Sequence, residues 1–307
     1  MLDTLTGFAV VGLAIVVGYV LGRIDLLGPH GRYVLARLTF FVLSPFLLFV
    51  VLAEADAAML FSALLPASAL SAIAVMTLYV LIARLTWRRG IGETVIGALS
   101  AGQVNSNNIG IPISLYLLGS AAFPAPVILL QLIVFTPITL TLLDLATSEK
   151  GSSIWRILGR TASNPIVIGS VAGTLVSVSG VALPPIVMEP ASLLANACVP
   201  VLLISYGLSL HGTRVLGPHG RRRDVLLASA LKLLIMPLVG WVVAQFLFQL
   251  PPAEVLIVVV LAALPTAQNV FNYAQRYNVG EAISRDTIFL TTIGCVPVLL
   301  LATLLLG

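Results

Sequence analysis

Polar and apolar positions along this chain fall into long blocks and do not alternate. Ten apolar stretches, at 5–22, 33–52, 59–85, 94–118, 124–145, 165–183, 192–210, 225–248, 255–277 and 283–306, are separated by short polar connections. A helix of about 20 apolar residues crosses the roughly 30 Å of hydrocarbon in a bilayer, so each stretch predicts a membrane-spanning helix. A transmembrane barrel would alternate with period two over segments of about ten residues, and these stretches do not. The expected fold class is therefore an all-α membrane protein of ten transmembrane helices.

Composition agrees. Of 307 residues, 59% are hydrophobic and only 9% charged, a balance that a water-exposed globular surface does not tolerate. The opening Met-Leu-Asp-Thr-Leu-Thr lacks a basic n-region and a small-residue cleavage site, so the first stretch is expected to stay in the mature chain. Cys198 and Cys295 lie inside predicted spans and do not suggest a disulfide.

Charge supplies the orientation. Of the 16 Lys and Arg residues, 15 sit in or beside every second connection, and the intervening connections have none. The positive-inside rule makes the basic connections cytoplasmic. Both termini then lie outside, with Asp3, Glu54, Asp56, Glu189 and Glu254 on that face. The run Arg221 to Arg223 reads as a topogenic or lipid-headgroup patch, not a nucleic-acid site.

Ten helices divide into two units of five, and an odd count forces the second to enter the membrane upside down. The expected division is a first repeat over 1–146, a cytoplasmic connection over 147–162 and an inverted repeat over 163–307. Sliding the chain on itself by 161 residues pairs Asn108 with Asn269, Tyr116 with Tyr277 and Gly119 with Gly280; a slide of 155 pairs Pro45 with Pro200. Inverted repeats with a discontinuous helix at corresponding places mark the midplane site of a secondary transporter.

The fourth and ninth stretches carry such interruptions. Residues 102–112 place Gln103, Asn105, Ser106, Asn107 and Asn108 between glycines and Pro112 in the middle of an apolar span. Pro112 lacks a donor and clashes with the carbonyl four residues back, which predicts that the helix opens at Asn108. In the ninth stretch Pro265 stands beside Thr266, Gln268, Asn269 and Asn272. Unwound backbone at this depth survives only against protein or a wet cavity. Two broken helices offer half-helix N-termini, with free N–H groups and positive dipole ends, to a carboxylate or other anion. Polar residues can also simply glue helices together, but a cluster of amides beside a helix breaker, echoed 161 residues later, favours a binding site.

Lys232 is the one basic residue not in or beside a connection. It reads either as a charge partner for an anion or as a side chain snorkelling to the cytoplasmic headgroups. Asp144, near the cytoplasmic end of the fifth stretch, is expected to be interfacial. His30, His211 and His219 all fall in predicted cytoplasmic loops, and no acid is firmly central, so neither proton nor sodium can be named as a coupling ion.

The segments Val-Asn-Ser-Asn-Asn-Ile-Gly-Ile-Pro at 104–112, Ala-Leu-Pro at 263–265 and Tyr-Asn-Val at 277–279 resemble the auxin efflux carrier family, which includes plant PIN carriers and bacterial homologues. So do Leu-Ser-Pro-Phe-Leu-Leu-Phe at 43–49, Ser-Asn-Pro-Ile-Val-Ile-Gly at 163–169 and Leu-Lys-Leu-Leu-Ile-Met-Pro at 231–237, and the likeness covers essentially the whole chain. It implies an inverted five-plus-five fold shared with sodium–bile acid symporters, with a scaffold domain and a moving domain that holds the crossing helices, each drawn from both repeats. It also implies export of a small organic anion across a bacterial plasma membrane. By position, the family's crossing asparagine corresponds to Asn105, its helix-nine proline to Pro265, and its Asn-Pro at the start of helix six to Asn164 and Pro165. Two departures are Val104, where plant carriers have proline, and the short 146–162 connection in place of a long regulatory loop.

The expected function is thus a secondary transporter working by alternating access. Its scaffold would come largely from helices one, two, six and seven. Asn105, Asn107, Asn108, Asn164, Thr266, Gln268, Asn269 and Asn272 would bind the anion, with Pro112 and Pro265 holding the helices open. A sodium-coupled symporter or a receptor is the alternative, and a homodimer is left open. No metal, cofactor or enzymatic role is expected, since His-Glu-x-x-His and paired intramembrane aspartates are lacking. A channel would more naturally show a repeated filter or rings of charge.

Overall fold

The structure is a computed structural model that describes residues 2–55, 62–120, 122–147, 159, 162–163, 165–212, 216 and 220–307. Among these residues it is helical, and the one β-type pairing is an isolated bridge between Val104 and Thr266. In chain order α1 is Leu2–Arg23, α2 spans 31–54 and α3 is Leu64–Leu85. The fourth helix is in two pieces, α4a Ile91–Gly102 and α4b over 106–118. Then come α5 Ala125–Thr147, α6 Pro165–Ser179, α7 Pro185–Leu210 and α8 Arg222–Leu247. The ninth is again split, into α9a Pro252–Ala263 and α9b Gln268–Tyr277, and α10 is Glu281–Leu306.

In α3, α5, α8, α10 and residues Pro185–Ser205 of α7, the helix is long and apolar enough to cross a membrane. These spans make the chain an integral membrane protein. Two of the shorter apolar helices, α4a and α9a, are short because the chain leaves the helix at Gln103 and at Leu264. The offset of 161 carries Ile91–Gly102 onto Pro252–Ala263 residue for residue (91 + 161 = 252; 102 + 161 = 263). The same offset pairs Gly119 with Gly280, and both are left-handed, at φ 81° and 67°.

Proline shapes several helices through wide turns. Five-residue segments with i→i+5 bonding, Thr39–Leu43, Ser106–Gly110, Gln131–Phe135 and Leu231–Ile235, each end two residues before a proline: Pro45, Pro112, Pro137 and Pro237. In three of them the residue before the proline bonds back five positions, Ser44 to Thr39, Thr136 to Gln131 and Met236 to Leu231. One extra residue per turn moves the carbonyl that the pyrrolidine ring would strike. The chain therefore absorbs Pro112 inside α4b, and the opening expected at Asn108 lies upstream, at 103–105.

Backbone contacts divide the chain into two compact units. The first holds 1–60, 111–125 and 159–214, and the second 61–110, 126–158 and 215–307. In the first, α1 packs on α7 and α2 on α6 at backbone distance. A Cβ on Gly207 would fall 2.0 Å from the Ile15 carbonyl oxygen, and one on Gly173 would fall 2.4 Å from that of Phe49. Small residues at helix crossings allow this approach in lipid, where packing and not water exclusion drives association.

In the second unit, Tyr79, Ala83, Ala98, Ala101, Ala228 and Leu231 pack α3, α4a and α8 together. A polar clamp closes one end of this cluster. Arg89 makes a two-pronged pair with Asp224, at 3.0 Å from Nε and 2.6 Å from Nη2, and Tyr79 donates to the same carboxylate at 3.3 Å. The Asp224 side chain is fully buried. Hydrogen bonding to Asp224 holds the Arg89 guanidinium above its already high ordinary range. Arg221 pairs with Glu93 beside it.

A candidate substrate site at the crossing of two broken helices

All the groups of the site belong to the second unit. At 103–105 and 264–267 the two broken helices run extended and pair through their backbones. The N–H of Asn105 donates to the Pro265 carbonyl at 2.8 Å, and the N–H of Ala267 donates to the Gln103 carbonyl at 3.1 Å. Each break thus satisfies part of the backbone the other leaves open, which a membrane interior demands. Helices α4a and α9a end at this crossing, while α4b and α9b begin there.

Asn105 caps α4b. Its Oδ1 accepts the Asn108 N–H at 3.2 Å and its carbonyl accepts the Gly110 N–H at 2.8 Å, the arrangement of an N-cap asparagine. Asn108 donates from Nδ2 to Oε1 of Gln268 at 3.0 Å, tying the first turns of α4b and α9b. Gln103 Nε2, Asn107 Oδ1 and Asn108 Oδ1 are buried without a hydrogen-bond partner among the described residues. Buried polar atoms are normally paired, so these three point to an occupant from outside the chain. Asn269 is half-buried and Asn272 exposed, in the first turns of α9b.

Thr266 is fully buried and faces inward. Its hydroxyl donates to the Ser100 carbonyl at 2.6 Å and its N–H to Thr291 Oγ1 at 3.1 Å. It ties α9 to α4a and α10, and its polar groups are engaged within the protein. The expected site residue Asn164 lies outside the described residues. Pro112 has helical backbone past the wide turn, whereas Pro265 sits in the extended break itself.

Lys232 is 0% exposed, which removes the snorkelling alternative. Its Nζ donates to the Ala262 carbonyl at 2.7 Å and approaches Met236 Sδ at 3.1 Å. Ala262 belongs to the last turn of α9a, so the ammonium stands at the negative end of that half-helix. Met236 and Ala262 also line a small cleft with Ser68, Gly102, Val104 and Gln131, with about 10 Å³ of space for water centres, roughly one water. The crossing is therefore polarised: helix N-termini and amides stand at one end of each break and helix C-termini at the other, where the Lys232 amine donates to α9a.

Asp144, in the last turn of α5, is buried as well. It accepts a hydrogen bond from Tyr277 on α9b at 3.0 Å. Sequence reasoning passed over Gln131, Thr136 and Tyr273, which adjoin the breaks. One signal was available: Gln131 is the single amide in the stretch 124–145 and lies six residues before a proline.

Half-helices that meet by their backbones inside an apolar helical bundle are a feature of secondary transporters. The chain belongs to the membrane transport protein family, the family of the auxin efflux carriers, which matches residues 5–303. No curated protein matches the chain.

Proposed function

We propose that the protein is a secondary transporter that moves a small organic anion, a carboxylate, by alternating access, with the crossing as its binding site. The observation that carries this reading is the meeting of two half-helix N-termini, at Ser106 and Gln268, among amides with buried atoms that lack partners among the described residues. Helix N-termini favour anions through free N–H groups and the helix dipole. No carboxylate side chain stands in either break, at 103–108 or 264–272, to oppose one. Asn105, Asn107, Asn108, Gln268, Asn269 and Asn272 supply neutral hydrogen bonds. Lys232 is a buried donor to the C-terminal end of α9a.

The residue-for-residue offset between α4a and α9a supports two inverted five-helix repeats. The first compact unit, with α1, α2, α6 and α7, would serve as scaffold, and the second as the moving part. The distribution of Lys and Arg supports cytoplasmic basic connections and external termini in a plasma membrane.

The test is counterflow in proteoliposomes of the purified protein, with labelled mono- and dicarboxylates and with or without sodium and pH gradients. Saturable counterflow of at least one carboxylate is expected. Uniform failure across the anions would reject the reading, and the gradient arms identify any coupling ion.

A further inference from the structure

Gln131 reaches from α5 into the break of the fourth helix. Its Nε2 donates to the Val104 carbonyl and to Ser106 Oγ, each at 3.1 Å. A carbonyl can only accept, so the Val104 oxygen fixes which end of the amide faces the break. The backbone carbonyl of Gln131 accepts both the backbone N–H of Thr136 and its hydroxyl, the latter at 2.8 Å. That hydroxyl has a single proton, so the Tyr273 hydroxyl, 3.1 Å away on α9b, donates to it. A chain of contacts thus runs from Tyr273 of α9b through Thr136 to the backbone carbonyl of Gln131, and from the Gln131 side-chain amide on to the break before α4b.

The wide turn ahead of Pro137 makes this reach possible. Gln131 is the first residue of Gln131–Phe135, and a regular α-helix would turn that position by about 100° relative to the helix that follows. The sequence thus invests a proline and a wide turn in presenting one amide to the crossing.

We infer that Gln131 is a positioning residue for the substrate site: through Thr136 and Tyr273 it sets the first turn of α4b against α9b, and so holds the two half-helix N-termini in their binding geometry. This rests on the reading of the crossing as the substrate site. Gln131 does not itself cap either helix, since Asn105 does that for α4b; it fixes where the capped end stands.

The test uses the full chain in detergent and in proteoliposomes. Gln131→Met keeps the length of the side chain and removes its donors, and Thr136→Val cuts the chain one link away. Hydrogen–deuterium exchange of peptides covering 103–110 and 264–274 is expected to quicken about three- to tenfold in each variant, the effect of one or two hydrogen bonds, with residues 64–85 unchanged. In counterflow of labelled malate and indole-3-acetate, the half-saturation concentration should rise with little change in maximal rate; a purely structural role would lower active protein and leave half-saturation in place. Unchanged exchange over 103–110 in Gln131→Met, or in Thr136→Val should the first variant not fold, overturns the inference. Because exchange needs no substrate, that outcome is separate from failure of the wild type to transport either acid, which would reject only the transport reading.

Discussion

The backbone N–H of Asn105 lies 2.8 Å from the carbonyl oxygen of Pro265 and donates to it. These are the two positions that the family resemblance singles out, one in each broken helix, and they bond to each other directly. Pro265 cannot donate and Asn105 has left its own helix, so each break supplies the partner the other lacks. A change at either position acts on both.

Asn105 is expected to separate its two roles. Asn105→Ala removes the cap on α4b and should cost about 1 kcal/mol of stability. Asn105→Asp keeps an acceptor for the Asn108 N–H and should hold thermal stability near wild type. It should still impair anion transport, because a carboxylate then stands at the anion site. Thermal unfolding in detergent beside counterflow distinguishes the effects.

Thr266 and Asn107 should behave oppositely. The Thr266 hydroxyl is committed to Ser100, so Thr266→Val should lower stability by about 1–3 kcal/mol, the cost of an unsatisfied buried group. Asn107 Oδ1 has no partner among the described residues. Asn107→Ala should therefore leave the unfolding temperature nearly unchanged while weakening substrate binding, read as a higher half-saturation concentration.

Lys232→Met should fold, since an apolar side chain of similar length replaces a buried cation. Transport should fall by about tenfold or more, on the scale of about 1.4 kcal/mol, because the end of α9a loses its positive partner. Lys232→Arg should not rescue it, because a planar five-donor fork differs in shape and donor geometry from an ammonium. Counterflow rates normalised to folded protein check both variants.

The clamp of Arg89 and Asp224 predicts an order of severity. Arg89→Ala strands the fully buried Asp224 carboxylate and should cost about 3–5 kcal/mol. Asp224→Asn leaves a partly exposed guanidinium that water can solvate, and should cost less. Equal losses in thermal unfolding would contradict the burial of Asp224.

Much of this architecture was legible in the sequence because lipid imposes simple rules. Apolar length marked the helices, and amides in the middle of a span marked the breaks. The position of the opening was misread by a few residues because Pro112 suggested a break where a wide turn absorbs it. Such a turn depends on backbone bonding that hydropathy does not register. The burial of Lys232 and Asp144 was also hidden, since depth along a helix does not say which face a residue occupies. Gln131 went unread although it is the single amide of its stretch, because one amide in an apolar helix does not say which neighbour it meets until the fold brings it beside Val104 and Ser106.

The central claim, that the crossing binds the transported anion, is tested most directly by counterflow of a labelled carboxylate carried by the wild type, measured in parallel with folded, reconstituted Asn105→Ala and Asn269→Ala. The account predicts that both variants lose most of the transport while the unfolding temperature of Asn269→Ala stays close to wild type and that of Asn105→Ala falls only by the loss of its cap, about 1 kcal/mol. Wild-type rates and half-saturation in both would contradict it.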